Sequence, residues 1–344
     1  MTLFEAYIAV DWSAGAKPSS ATPRRDAIWV GELVGGPRDA CCATAVYHPS
    51  RAKCVDDVRA RLHAHAAAGR RVFIGFDFAY GYPRGFADAL GRPPEAAPWR
   101  WTWEELERVV VDGADNANNR FAVSAALNAR CGDGGRGPFW GCPPSAETPT
   151  LTARMKGIFA YPYSVRAEAG LSRLRRSEDM LKGVKPVWQL LGAGSVGGQA
   201  LVGIPAVLGL RDDPKLAEVN RVWPFETGFV ERPSPKRGPF VLHAEIWPGV
   251  VNHRLDPAIG IRDKAQVLAF VAWLAEMDAS GSLGRLFRGG GETSESENRS
   301  CLDEEGWILG SGADAESGSA GMMPKHSMTN DSPVGAPAAA ADGA

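Results

Sequence analysis

Two short apolar runs, Tyr7–Val10 and Val72–Phe76, each lead straight into an aspartate, in the segments IAVD and IGFD. What lies between them restricts the fold. Ala27–Leu33 and Thr44–Tyr47 are two more β-branched-rich runs, set off by Gly, Pro and Asp clusters, which predicts an antiparallel meander with the first. Ser50–Ala68 then carries Val55, Val58, Leu62 and Ala66 at spacings of three and four before Gly69, the pattern of a helix and its stop. Parallel strands need a crossover, so the run at Val72 is a candidate parallel neighbour of an earlier strand. An α/β fold with a mixed sheet follows. If the two Asp-terminated strands are neighbours, Asp11 and Asp77 lie side by side at the carboxyl edge, where open α/β sheets place ligands.

Further along, Trp103–Val111 and Asn118–Cys131 read as helices, Val165–Lys182 as an Arg-rich helical segment, and Gln199–Leu210 as an apolar helix interrupted by Gly203 and Pro205. Phe240–Trp247 returns to strand character and Asp263–Met277 is a strongly apolar helix. The predicted organisation is a core from residues 1–85 and 240–288, a mainly helical insertion over 86–239, and a Gly, Ser, Ala and Glu-rich tail over 289–344. Apart from EEGWILG, that tail lacks the apolar residues to order itself. It holds ten acidic and two basic residues, a net of −8, leaving 30 acidic and 36 basic residues in the body, a net of +6. A mildly basic body is compatible with an anionic ligand but falls short of a dedicated nucleic-acid binder.

No stretch approaches the roughly 18 apolar residues of a membrane span, and the start, MTLFEAYIAVDWSAG, does not read as a signal peptide. Cys41, Cys42, Cys54, Cys131, Cys142 and Cys301 show no CxxC or zinc-ligand spacing, so buried thiols in a reducing cytosol are expected. The expectation is a cytoplasmic protein without membrane contact.

The chemistry-bearing residues begin with the acids. Two close carboxylates repel unless a cation or proton sits between them. Magnesium favours oxygen ligands and keeps several waters, which suits carboxylates on different elements. Asp263, opening the last apolar helix, is a candidate third ligand, and Glu245 in HAEIWPG a fourth. Strand-end aspartates also form turns, and Asp263 would also serve as a helix cap; the coincidence across elements favours a shared site.

The order YIAVDWSAG, meander, helix, VFIGFDFAYGYP, then AEIWPG, an Asp-led helix and EEGWILG resembles domain-of-unknown-function family 429, regarded as predicted nucleases of the ribonuclease H-like fold. The likeness spans roughly residues 6–85 and 240–310 and leaves the central region, with NNRF, GPFWGCP and WPFETG, unexplained. The resemblance implies a ribonuclease H-like mixed sheet. It also implies catalytic acids at Asp11, Asp77, Glu245 and Asp263, with Asp11, Asp77 and Asp263 holding Mg (or Mn). By the same resemblance, the activity would be two-metal hydrolysis of a phosphodiester in nucleic acid or in a small phosphorylated substrate. Chains of this kind are also loosely associated with cofactor biosynthesis, cobalamin included. Asp11 followed by Ser13, Ala14 and Gly15 is similar to actin-like sugar kinases as well, which need a second phosphate loop that the sequence does not show.

Other motifs compete. Gly192–Gly197 is a literal GxGxxG, which would meet a pyrophosphate at a helix N-terminus, but Val187–Leu191 is a poor strand. One residue out of register it approximates a nucleophile elbow around Ser195, with Asp212 or Asp213 and His243 or His253 in hydrolase order. His243 falls on the same strand face as Glu245 and is either structural or a support for a ligand. His63 and His65 do not face each other on a helix. Arg166, Arg173, Arg175, Arg176, Lys182 and Lys185 form a basic segment suited to phosphate or to a solvated helix with internal pairs. Trp99, Trp101 and Trp103 suit core packing better than base stacking. Asn118, Asn119 and Arg120 either cap a helix or point into the cleft. A nucleotide or dinucleotide binder using Gly192–Gly197, and a catalytically silent interaction protein, are thus the alternatives to a nuclease.

Overall fold

Strands β1 (Ala6–Asp11), β2 (Ile28–Val34) and β3 (Thr44–His48) form the expected antiparallel meander. Helix α1 (Arg51–Ala67), capped by the Ser50 side chain on Lys53 N–H, carries the chain back to β4 (Arg71–Phe76), which pairs parallel to β1. With β5 (Asn220–Val222) and β6 (Phe240–Glu245), both parallel to their neighbours, the sheet runs β3-β2-β1-β4-β6-β5. The computed structural model describes residues 2–132, 135–165, 170–290 and 294–311. It is an α/β protein with a ribonuclease H-like mixed sheet, an antiparallel meander joined to parallel strands.

Side chains alternate across a strand, and the sheet accordingly has two cores. Ala6, Ile8 and Val10 of β1, with Val72, Ile74 and Phe76 of β4, face α1 through Cys54, Val58 and Leu62. Among the described residues between β4 and β6 the regular structure is helical apart from β5: α2 (Phe86–Ala89), α3 (Pro98–Val109), α4 (Arg120–Cys131), α5 (Arg176–Met180) and α6 (Gly197–Arg211). Their apolar residues, among them Trp103, Leu127 and Ile204, extend this same core. Trp99 stacks on Phe225 at 4.9 Å, as core packing predicts. On the other face Tyr7, Ala9 and Phe73 meet Val267, Phe270 and Leu274 of α7 (Arg262–Ala279). Gly31 permits that contact, because a Cβ there would stand 2.8 Å from the Val267 Cβ and carbonyl oxygen.

Three expectations need correction. Among its described residues the Arg-rich segment is helical only over α5, and its Arg175 is buried rather than solvated; Arg166 lies outside the described residues. Order in the tail begins ahead of EEGWILG: Ser294 caps α9 (Glu295–Ser300), which follows α8 (Leu283–Leu286), and a helical turn continues over Cys301–Glu305. Cys301 and Trp307 are buried there, and Ile308 bridges to Glu245, while residues 312–344 lie outside the described residues. Four of the six cysteines are buried thiols, but Cys41 and Cys42 are exposed. Among the described residues no helix is long and apolar enough to cross a membrane.

Arg175 ties these distant segments together. Its Nη1 and Nη2 donate to the Glu245 carboxylate at 2.7 and 2.6 Å, its Nε to Glu178 at 2.9 Å, and Nη1 also to the Glu305 carbonyl. Burial acts against the charged guanidinium, but the two carboxylates outweigh it and raise its pKa. The Glu304 carboxylate accepts the Gly85 and Ala87 N–H groups, and that of Glu305 the Arg84 and Arg176 N–H groups, so the C-terminal segment is stitched to the loop after β4. Removing one partner of a buried pair strands the other charge, so Arg175→Met should lower stability by roughly 3–5 kcal/mol in urea denaturation. An unchanged midpoint would contradict this role.

Candidate functional site

The cleft at the carboxyl edge of the sheet is built by the β1–β4 ladder. Val10 pairs with Phe76, and Asp77 N–H donates to the Val10 carbonyl at 3.3 Å, which brings Asp11 and Asp77 level at adjacent strand ends. By the alternation both belong to the α7 face, and Asp263 enters from the first turn of α7. All three line one cavity of about 610 Å³, together with Asp26. The Asp77 Oδ1 accepts from Trp12 N–H at 2.8 Å, and the Asp263 Oδ2 accepts from Asp26 N–H at 2.5 Å. Asp26 holds a left-handed φ of 55° to make that contact. The Asp11 carboxylate has no hydrogen-bonding partner among the described residues.

Both Asp11 and Asp77 keep part of their surface open to the cleft, yet lie deep enough for burial to dominate their titration. Burial pushes the Asp77 carboxyl up to about 7, against the pull of the Trp12 N–H. Asp11 is raised well above the ordinary carboxylate range by burial and then by the charges of Asp77, Asp263 and Asp26; Arg262 opposes this weakly. Asp263 is also raised, again by burial first. None of these three forms an ion pair with a basic side chain among the described residues.

Glu245 does not join them. On β6, Val241 packs in the α1-side core and Leu242 and Ala244 in the α7-side core, so Glu245 points to the α1 side, away from Asp11 and Asp77. There it is 3% exposed, bonded to Arg175, and accepts the Tyr80 N–H. The likeness placed Glu245 among the catalytic acids; the structure gives it a structural partner instead. His243, on that same face, is fully buried with no partner for either ring nitrogen among the described residues, and burial holds its pKa down to about 3.

The opposite wall is the glycine-rich segment. Gly192, Gly194 and Ser195 line the cleft, with Leu190, Leu191 and Gln199 beside them. Residues 187–191 make one isolated bridge, Trp140 to Gln189, and no strand, so the Rossmann pattern lacks its first element. A hydrolase triad is not assembled either. Asp212 pairs with Arg100, Asp213 with His63 and Arg59, and no histidine lines the cleft. His65 pairs with Glu32, and the basic residues of 173–185 lie outside the cleft lining. Asn119 spends its side chain on Val109 and Val111, whereas Arg120 does reach the cleft.

Arg25, Asp26, Arg262 and Gln199 were not singled out by the sequence. A signal existed for the first two. In an antiparallel pair the residues just before β2 lie beside the end of β1, and Asp11 is indeed level with Trp29. Compared with known proteins, the chain matches no family model, no curated protein and no solved structure.

Among the described residues no group of three or more His, Cys, Asp and Glu side chains is close enough to hold one metal ion. What is present, Asp11 and Asp77 with hard oxygen donors and no ion-pair partner among the described residues, fits a cation held by two carboxylates and water, a common arrangement for magnesium. It is not a closed three-carboxylate cage. Without a cation, a carboxyl whose folded pKa is raised contributes stability that is complete below its unfolded value and is lost as pH rises through the folded one. The stability difference between the metal-free protein and Asp77→Asn should therefore fall between pH 3.8 and about 7, by up to ~1.4 kcal/mol per pH unit. His243 acts in the opposite direction, its contribution being lost as pH falls below 6.5, and cancels in that comparison. A pH-independent difference in chemical denaturation would contradict the burial of Asp77.

Proposed function

We propose that the chain is a divalent-cation-dependent phosphoester hydrolase, a phosphodiesterase or nuclease of ribonuclease H-like type. The observation that supports it is the pair Asp11 and Asp77, held level at the carboxyl edge of a mixed sheet and left without an ion-pair partner among the described residues. Evolved interiors pair or neutralise close carboxyls, so an open pair of this kind reads as a ligand set.

Asp11 and Asp77 would hold magnesium or manganese, with Asp263 within the same cavity. Such an ion supplies Lewis-acid polarisation of a phosphoryl oxygen and a water made acidic enough to attack at neutral pH. The protein's own groups do the positioning. Trp12 N–H holds one oxygen of Asp77, and Asp26 N–H holds one oxygen of Asp263. Arg25 and Arg262 at the cleft bring positive charge that favours an anionic substrate. Nucleic acid and small phosphorylated esters both suit this chemistry. The six free cysteines suit action in a reducing, cytoplasmic compartment.

Asp11→Asn and Asp77→Asn should each lower magnesium-dependent cleavage of an aryl phosphodiester by on the order of 100-fold or more, with the circular dichroism of the folded protein retained. Glu245→Gln should instead lower stability and leave turnover per folded molecule nearly unchanged. Unchanged cleavage by either Asp variant would overturn the reading.

A further inference from the structure

The acidic floor accounts for only half of the cleft. Its facing wall is the segment from Leu190 to Gln199, which leads into α6, a helix of 15 residues. The start of that helix lacks a cap: Val196 provides no side-chain acceptor. Gly197 N–H is taken by the Gln189 carbonyl at 3.0 Å. The next two N–H groups, of Gly198 and Gln199, meet no acceptor among the described residues. Uncapped N–H groups at the positive end of a helix attract an anion.

A second feature points the same way. Arg120 is 8% exposed, and its Nε is buried without a hydrogen-bond partner. Its Nη1 donates to Asn118 Oδ1 at 2.8 Å, and the guanidinium lies 4.3 Å from the Phe121 ring centroid. It has no carboxylate partner among the described residues, in contrast to Arg51, which is doubly bonded to Asp112, and to Arg175. Arg120 lines the cleft and sits against the first turn of α6, where a Cβ on Gly198 would stand 3.4 Å from its Nε. Glycine at 198 is required by the Leu190 carbonyl, which would stand 2.8 Å from a Cβ there, and Arg120 packs beside it at ordinary contact distance. An unpaired, desolvated guanidinium beside free helix N–H groups is an arrangement suited to a phosphate, whose several oxygens accept from both.

We propose that the start of α6, Ser195 and Arg120 form a phosphate subsite, and that the substrate is a small ester carrying a phosphate there while its scissile bond lies over Asp11 and Asp77. This deepens the hydrolase reading and rests on it for the second half only. A cleft of about 610 Å³ is of a size that holds a small phosphorylated molecule. Leu191, an exposed residue, supplies apolar surface at the cleft. The subsite also gives the GAGSVG segment a role without a Rossmann strand, since the N–H groups and the glycines are used while the sheet is not.

The test titrates the full chain with inorganic phosphate by calorimetry, with a chelator present so that no divalent ion takes part. Saturable binding is expected. It should weaken by about tenfold or more in Arg120→Gln and in Ser195→Glu, which brings a carboxylate to the helix start. Asp11→Asn, which removes negative charge from the floor, should not weaken it. Ser195 is part-exposed in a loop, so Ser195→Glu should keep the wild-type urea midpoint and answers even where Arg120→Gln fails to fold. No cleavage enters the readout, so loss of the hydrolase reading would leave a positive result standing, and the reverse. Absence of phosphate binding at millimolar concentration, or equal affinity in Ser195→Glu, would overturn the subsite. A short single-stranded oligonucleotide displacing phosphate at far lower concentration than a nucleoside monophosphate would overturn the small-ester assignment.

Discussion

The parallel ladder between β1 and β4 is the constraint on which the site depends. It is made possible by one crossover helix, α1, and fixed in register by Val10 opposite Phe76. Once that register is set, the residue after each pairing position must fall on the α7 face at the carboxyl edge. Both of these residues are aspartates. The sheet thereby forces two carboxyls into one desolvated place, and their proximity is a cost that the backbone pairing holds in place. α7 adds a third acid from the same side, because Gly31 lets that helix approach β2 closely.

The sheet edge shows two answers to the same electrostatic problem. Glu245 ends β6 one strand over from Asp77, but the alternation turns it to the opposite face. There the chain supplies Arg175 as a buried counter-charge, with Glu178, Glu304 and Glu305 completing a network that joins the insertion, the sheet and the C-terminal segment. Asp11 and Asp77 receive no such partner. A buried acid paired within the chain is part of the scaffold; a buried pair of acids left open to a cleft is poised for something from outside. The distinction separates acids paired within the scaffold from acids open to the cleft more sharply than their positions at strand ends do.

Much of this was legible in the sequence. The meander, the crossover and the two Asp-terminated strands follow from apolar periodicity and turn residues, and the structure places Asp11, Asp77 and Asp263 in a single cleft. Glu245 was misread because a likeness of order carries no parity: one residue's shift along a strand reverses the face. Arg175 was hidden because an Arg-rich stretch looks solvated, and only tertiary placement shows a guanidinium inside the core. The GAGSVG segment was seen but compared with templates that need a preceding strand or a histidine at the cleft; the phosphate subsite proposed for it joins it to Arg120, some seventy residues away in the chain. Asp26 could have been found from hairpin geometry alone.

The most direct test of the central claim is diffraction from crystals soaked in manganese near neutral pH, with the anomalous signal of the ion used to locate it. The account predicts an ion bound by carboxylate oxygens of both Asp11 and Asp77, with water completing its shell. Manganese bound elsewhere, or none at all while the two carboxyls share a proton across the cleft, would contradict it.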